Sequence, residues 1–138
     1  MREPVSAVII TRDAGTQLGA CLQGLGFVDE ILIVDSGSRD NTVELAKTHG
    51  ARVMHQDWLG YGPQKQFAAE QALHDWILSL DADERISDAL REDIVRELSD
   101  ESAYARHLRN HGCSHSPQEW RRFSEERFAA KYTRPKCC

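Results

Sequence analysis

The stretch that indicates the fold is WILSLDADE, residues 76–84. Its first five residues form a short run of large apolar side chains, which is typical of a buried β-strand. Asp81 and Asp83 follow immediately. Side chains two positions apart in an extended chain lie on the same side, so both carboxylates can face one ligand. Because ligands bind at the carboxyl ends of strands in open α/β sheets, this stretch predicts a strand that ends at a binding site.

Paired carboxylates at a strand end also suit a hard divalent cation. Mg²⁺ and Mn²⁺ prefer oxygen ligands and commonly share the phosphate oxygens of a substrate. An Asp-x-Asp pair in an acidic surface loop would simply be solvated, but the strand in front of Asp81 favours a binding site. We therefore predict that Asp81 and Asp83 bind Mn²⁺ or Mg²⁺ together with a diphosphate.

Strand and helix patterns alternate along the first 98 residues. Apolar, β-branched runs predict strands, and amphipathic spacings with capping residues predict helices between them. The strands are predicted at residues 5–11, 31–35, 51–55 and 76–80, and the helices near Thr16, Asp40, Pro63 and Ser87. The order β-α-β-α-β-α-β predicts an α/β, Rossmann-like fold, with a parallel sheet and helices on both faces.

Length and composition restrict the class of protein. A chain of 138 residues with 41% hydrophobic and 28% charged residues is expected to form one globular domain. It contains no apolar stretch close to the roughly 18 residues of a membrane span and no signal-peptide pattern, so we predict a cytoplasmic location. The net charge of −5 argues against a nucleic-acid partner.

The charge balance differs between the two parts of the chain. Residues 1–98 carry a net charge of −8, whereas residues 99–138 carry +3. A capping-box sequence at Ser116 predicts a helix over residues 117–131, and we expect residues 99–115 to pack poorly. We therefore divide the chain into a binding domain, residues 1–98, and a divergent basic tail, residues 99–138, that is helical or loosely ordered. The tail's metal-ligand types match no zinc pattern; they are His107, His111, Cys113, His115, Cys137 and Cys138.

Polar residues follow three of the four predicted strands. Because the carboxyl ends of parallel strands meet at one edge, we expect these segments to form a crevice. Asp35 can accept hydrogen bonds from a base or ribose, although its segment would also serve as a simple turn and helix cap. Gly37 lets the backbone approach a ligand closely, and Lys65 can neutralise phosphate charge. The three segments are Thr11-Arg12-Asp13, Asp35-Ser36-Gly37-Ser38 and Asp81-Ala82-Asp83.

Four segments closely resemble the pattern of glycosyltransferase family 2, above all the lipopolysaccharide core glucosyltransferases. They occur in the family's order and spacing between residues 4 and 98. The resemblance implies a GT-A fold, a nucleotide-diphosphate sugar donor, a divalent metal and inversion at the anomeric carbon. The segments are SAVIIT (6–11), VDSGSRDNT (34–42), GYGPQK (60–65) and LSLDADER (78–85).

The resemblance also implies roles for single residues. Asp35 would contact the base, Asp81 the ribose or sugar side, and Asp83 the metal. The remaining nucleotide-sugar contacts would come from Thr11, Asp13, Gly37, Ser38 and Lys65. A UDP-sugar is the favoured donor, and a glycan or lipid-linked molecule the acceptor, in cell-envelope or lipopolysaccharide core synthesis with peripheral association at the inner membrane.

The chain departs from the family at two places. Asp13-Ala14 stands where the family usually has Asn-Glu. After Asp83 the family continues with a longer region that supplies acceptor contacts and the catalytic base, and residues beyond about Glu101 do not resemble it. A general base contributes roughly 10²–10⁴ in rate, so we expect slow or no transfer by a chain truncated or frameshifted in this way. Glu84 is a weak candidate for the base.

Two alternatives stay open. A strand followed by Asp-x-Asp also begins haloacid-dehalogenase-like phosphatases, in which the first Asp is the nucleophile. That class carries the motif on its first strand and has Thr or Val after it, whereas Glu84 and Arg85 follow a fourth strand here. The other alternative is a non-catalytic nucleotide-binding module.

Overall fold

A computed structural model describes residues 4–74, 76–99, 121–125 and 128–133 of the chain. These residues form six strands and four helices. The strands are β1 (Val5–Thr11), β2 (Glu30–Asp35), β3 (Arg52–His55), β4 (Trp76–Asp81), β5 (Arg121–Glu125) and β6 (Phe128–Thr133), and the helices are α1 (Leu18–Gln23), α2 (Thr42–Thr48), α3 (Tyr61–Gln71) and α4 (Asp88–Ser99).

The strands form one sheet in the order β3-β2-β1-β4-β6-β5. The first four strands in this order are parallel to one another. The sequence prediction of a four-stranded parallel sheet is therefore confirmed. β1 lies at its centre, with β2 on one side and β4 on the other, so three strands that were predicted to end at polar segments are neighbours.

Helices cover both faces of the parallel strands, as predicted. Val5, Ala7 and Ile9 of β1 pack in one hydrophobic cluster with α1, α2 and α4. Val8 packs in a second cluster, with α3. Because neither face meets water, the central strands read as nearly continuous apolar runs and not as an alternation of apolar and polar residues.

The predicted helix starts are confirmed at α4 and corrected at α1. Ser87 Oγ accepts a hydrogen bond from the Leu90 N–H at 3.1 Å and so caps α4. The prediction that Thr16 caps α1 is wrong, because Gln17 occupies the cap position and no side chain caps that helix. None of the helices in the described ranges is both long and apolar enough to cross a bilayer.

The predicted helix over residues 117–131 is wrong where the structure describes that segment. Residues 121–125 and 128–133 are the antiparallel strands β5 and β6, and β6 pairs with β4 through Ile77–Thr133 to Ser79–Lys131. Without this pairing β4 would be an edge strand with unpaired backbone groups, so long-range hydrogen bonding outweighs the local helix signal. The predictions for residues 99–115 and for the histidines and cysteines of the tail fall outside the described residues, apart from Ser99.

Candidate functional site

The carboxyl ends of β1, β2 and β4 meet at one edge of the sheet. Thr11 on β1 lies opposite Asp35 on β2, and Ile10 lies opposite Asp81 on β4. The three polar segments that follow these strands are thus adjacent in space, as the crevice argument requires. The order of the strands produces this arrangement, because β2 and β4 both hydrogen-bond to the central strand β1.

A cavity of about 570 Å³ opens at this edge. Its volume lies within the range of sites that bind small molecules and cofactors. Thr11, Asp81 and Asp83 of the predicted site residues line it, while Asp13, Asp35, Gly37, Ser38 and Lys65 are placed around it. The lining consists of Ile10, Thr11, Arg12, Ala14, Gln17, Ser36, Trp58, Tyr61, Asp81, Ala82 and Asp83.

Asp35 is buried beside the cavity, with only 4% of its surface exposed. One of its carboxylate oxygens accepts hydrogen bonds from the hydroxyls of Thr11, at 2.7 Å, and Ser38. The other oxygen accepts from the N–H groups of Gly37 at 3.0 Å and Ser38 at 2.8 Å. Burial acts to raise the pKa of Asp35, but the hydrogen bonds from Ser38, Thr11 and Gly37 outweigh it and lower the pKa below its ordinary value.

These four donors give Asp35 a definite local role. The carboxylate holds the turn after β2 closed and orients the Thr11 hydroxyl at the cavity wall. Gly37 has a φ of 108°, a left-handed conformation that lets its N–H point back to Asp35 without strain from a side chain.

Asp13 joins the loops that follow β1 and β2. Its N–H donates to Ser38 Oγ at 2.8 Å, and its carboxylate accepts from the Arg39 N–H at 2.7 Å. Asp13 adopts a φ of 50°, which is uncommon for a residue with a side chain but tolerated by Asp. In this structure, its side chain serves the contact between the loops and does not line the cavity.

Asp81 is the centre of a charged cluster. Lys65 Nζ lies 2.8 Å from Asp81 Oδ1, so a lysine of α3 reaches the end of β4. Glu84 Oε2 accepts a hydrogen bond from the Asp81 N–H at 3.2 Å and folds back against the same loop. Burial, assisted by the negative charge of Asp81, raises the pKa of Glu84 to about 7, although a backbone hydrogen bond and Lys65 act in the opposite direction.

Asp83 extends from this cluster into the solvent at the cavity wall. In the described part of the chain no group of three or more His, Cys, Asp or Glu side chains could enclose a metal ion alone. Two carboxylates at a cavity wall fit instead a cation that completes its coordination with ligand oxygens, which is how Mg²⁺ is usually held beside phosphates.

Cys21 lies beneath the acidic loop, with Sγ 3.8 Å from the Asp81 carbonyl oxygen. Burial, together with the charges of Glu84, Asp83 and Asp81, raises the pKa of this thiol to about 12. The thiol is therefore protonated at neutral pH, and it packs as a small apolar side chain without acting as a nucleophile.

An aromatic pair at the cavity mouth escaped the sequence analysis. The rings of Trp58 and Tyr61 meet edge to face, with centroids 4.9 Å apart and an interplanar angle of 89°. The sequence analysis included Tyr61 only as part of the segment GYGPQK (60–65) and gave no role to Trp58. The available signal was a tryptophan and a tyrosine flanking a glycine directly before a helix that carries Lys65, in a region otherwise poor in apolar residues.

The sequence of this chain matches a family model and several curated relatives. The family model described as Glycosyl transferase family 2 matches residues 6–137. The lipopolysaccharide core biosynthesis glycosyltransferase LpsC of Rhizobium meliloti is 45% identical over 94 residues, which are 64% of this chain and 35% of LpsC. The chain spans about a third of the length of the curated relatives it matches.

Two solved structures with a similar fold are named as sugar phosphoglycerate synthases. Mannosyl-3-phosphoglycerate synthase from Rubrobacter xylanophilus superposes with a TM-score of 0.54 at 29% identity, over 62% of this chain and 32% of that one. Glucosyl-3-phosphoglycerate synthase from Mycobacterium tuberculosis, in complex with Mn²⁺, UDP and glucosyl-3-phosphoglycerate, has a TM-score of 0.52 at 21% identity, over 60% of this chain and 36% of that one. The second likeness shows the fold alone.

Proposed function

The chain belongs to glycosyltransferase family 2 and has the GT-A type of fold, and from that premise we propose that its cavity binds a nucleotide-diphosphate sugar with a divalent metal for inverting sugar transfer. The observation that carries this proposal is the convergence of β1, β2 and β4 on one cavity lined by Thr11, Asp81 and Asp83. Because the chain spans about a third of the length of its relatives, the activity of the whole protein is itself a proposal.

The acidic end of β4 supplies the metal side of the site. Asp83, with Asp81, would hold Mn²⁺ or Mg²⁺ together with the diphosphate oxygens. When bound, the metal supplies charge neutralisation for the departing nucleoside diphosphate. Lys65 adds a positively charged side chain to the same site, because its ammonium group lies 2.8 Å from Asp81 Oδ1.

The end of β2 supplies the nucleoside side. Asp35 is held ionised by its four donors and sets the position of Thr11, and we assign Asp35, Gly37 and Ser38 to the region that receives the base and ribose. Asp13 and Ser38 keep the neighbouring loops together. The catalytic base is not assigned, since Glu84 turns back toward the Asp81 backbone.

The relatives support a proposal for the setting of the reaction. LpsC is named for lipopolysaccharide core biosynthesis, and it shares 45% of 94 residues with this chain. We propose a UDP-sugar donor, a glycan or lipid-linked acceptor of the cell envelope, and action in the cytoplasm at the inner membrane surface.

Calorimetric titration tests the donor site directly. We expect UDP to bind in the presence of Mn²⁺ or Mg²⁺ and to bind much more weakly in chelator. Asp83→Ala should abolish this metal dependence, because it removes one of the two carboxylates at the cavity wall. Glu92→Ala, an exposed carboxylate on α4, is the matched control and should leave the titration unchanged.

Two results would contradict the proposal. Equal UDP affinity with and without chelator would remove the metal from the site. Release of phosphate from an aryl phosphate that depends on Asp81, without any UDP binding, would favour the phosphatase alternative instead. Transfer from a panel of UDP-sugars to lipopolysaccharide core acceptors then tests the reaction itself.

A further inference from the structure

The mouth of the cavity carries the two most conspicuous exposed aromatic side chains of the described residues. Trp58 is 46% exposed and Tyr61 is 76% exposed, and both line the cavity that contains Asp81 and Asp83. Their rings meet edge to face, so neither ring stacks flat on the other. Their exposed parts offer aromatic surface at the entrance of a charged cavity. We call this pair the aromatic platform.

The platform stands on a loop that is anchored from inside the protein. Gln64 on α3 is fully buried. Its side-chain oxygen accepts a hydrogen bond from the Leu59 N–H at 3.1 Å, and its side-chain nitrogen donates to the Gln56 carbonyl oxygen at 3.0 Å. The two anchored residues flank Trp58. A buried glutamine whose side-chain oxygen and nitrogen both bond the backbone of an exposed loop holds that loop in position.

A glycine and the first turn of α3 complete the geometry. Gly60 has a φ of 102°, which reverses the chain between Trp58 and Tyr61, and its carbonyl oxygen accepts the Gln64 N–H at 2.9 Å. The rings are thus brought together by backbone conformation, and a side chain at position 60 would be strained there.

The position of the platform relative to the charged cluster identifies its ligand. Tyr61 and Lys65 are four residues apart on α3 and so lie on the same side, about 6 Å apart along the helix axis. The loop that carries Trp58 starts beside the nucleoside side of the site, because His55 at the end of β3 lies opposite Asp35 and the Gln56 N–H donates to the Asp35 carbonyl oxygen at 3.0 Å. Asp35 is assigned to the region that receives the base and ribose, whereas the transferred sugar lies beyond the diphosphate.

We propose that Trp58 and Tyr61 stack against the nucleobase of the donor, and that Gln64 is the residue that positions this platform. The inference rests on the proposed function and adds to it a base-binding surface formed by the loop after β3. Stacking on aromatic side chains tolerates every base, because each has a π face. The platform therefore supplies affinity for the nucleoside, and it does not choose between uracil and guanine.

Calorimetry with UDP and with inorganic pyrophosphate, both in Mg²⁺, tests the assignment on the full chain. Stacking contributes about 1–3 kcal/mol per base, so Trp58→Ala should weaken UDP binding about 5- to 160-fold and GDP binding by a similar factor. Trp58→Phe should restore most of the affinity. Pyrophosphate has no base, and its binding should not change. Leu73→Ala, an exposed leucine that does not line the cavity, is the control and should leave both titrations unchanged.

Gln64→Leu distinguishes positioning from general stability. If Gln64 only supported the fold, the variant would weaken UDP and pyrophosphate alike. We expect it to weaken UDP binding several-fold and to leave pyrophosphate binding unchanged. The inference is overturned if the wild-type protein binds UDP and Trp58→Ala binds it equally well. It is also overturned if Trp58→Ala lowers only the additional affinity that a UDP-sugar has over UDP. Absence of UDP binding by the wild type would overturn the proposed function itself.

Discussion

At the scale of single residues, Asp35 shows how one buried carboxylate organises the edge of the sheet beside the cavity. It accepts two hydroxyl and two backbone hydrogen bonds, from Thr11, Gly37 and Ser38. A charge in this position would be costly without such partners. Because all four donors point at one group, replacing that group should disturb both stability and the cavity wall.

Asp35→Asn should lower the free energy of unfolding by about 1–3 kcal/mol at pH 7, since an amide cannot accept from all four donors. The folded-state pKa of Asp35 is lower than its unfolded value of about 3.9. Its stabilising contribution is therefore complete above that value and is lost as the pH falls through the folded-state pKa. Urea unfolding of both proteins from pH 7 downward should show the difference shrinking in acid.

Asp93→Asn on the exposed face of α4 is the control for this comparison. Asp93 is exposed and pairs with Arg96 across one helical turn, so its replacement should change stability by less than about 0.5 kcal/mol. A difference between wild type and Asp35→Asn that stays constant down to pH 2 would contradict the assigned role of the Asp35 charge.

At the scale of secondary-structure elements, the first turn of α2 is tied to the loop after β1. Thr42 is fully buried, and its hydroxyl accepts a hydrogen bond from the Ala14 N–H at 2.9 Å. Asp40, just before the helix, accepts from the Gly15 N–H at 2.9 Å. These bonds fix the β1 loop, which contributes Arg12 and Ala14 to the cavity wall, against an element that follows β2.

Thr42→Val should destabilise the protein by about 1–3 kcal/mol, because it keeps the shape of the side chain but leaves the buried Ala14 N–H without its partner. Thr48→Val in the same helix is the matched control. The Thr48 hydroxyl is exposed and donates only to the Glu44 carbonyl oxygen, so we expect a change below about 0.5 kcal/mol. Equal midpoints for the two variants in urea unfolding would show that the contact between the loops does not stabilise the fold.

At the scale of the whole molecule, the sheet has apolar layers on both sides. Ile77 and Leu78 are adjacent on β4 and both are fully buried, but they belong to opposite layers. Leu78 packs in the cluster with α1, α2 and α4, and Ile77 in the cluster with α3. Neither layer alone would suffice to bury the central strands.

Ile77→Ala and Leu78→Ala should each lower the free energy of unfolding by about 2–5 kcal/mol, since each leaves a cavity in a packed layer. In a sheet with one solvated face, only one of two adjacent residues would show such a loss. Leu73→Ala, at an exposed leucine, should change stability by less than about 0.5 kcal/mol. Measurement is by urea unfolding at constant pH, and a small effect at either strand position would contradict the two-layer arrangement.

The sequence alone determined the local elements and the edge of the sheet at which the cavity opens. Apolar runs and helix-capping signals such as Ser87 depend on neighbours within a few residues, so the four parallel strands and the helices between them could be predicted. The Asp81–Asp83 pair could be located at a strand end for the same reason. Its pattern in WILSLDADE does not depend on how the rest of the chain folds.

Tertiary structure alone decided which distant groups meet. The contacts of Lys65 with Asp81 and of Asp35 with Thr11 depend on strand order and register, which no local pattern encodes. The buried role of Gln64 appears only when α3 packs on the sheet. The strands at residues 121–125 and 128–133 replaced a predicted helix because β4 offered a free edge. Hydrogen bonding between segments far apart in the chain outweighs local propensity wherever such an edge would otherwise remain unpaired.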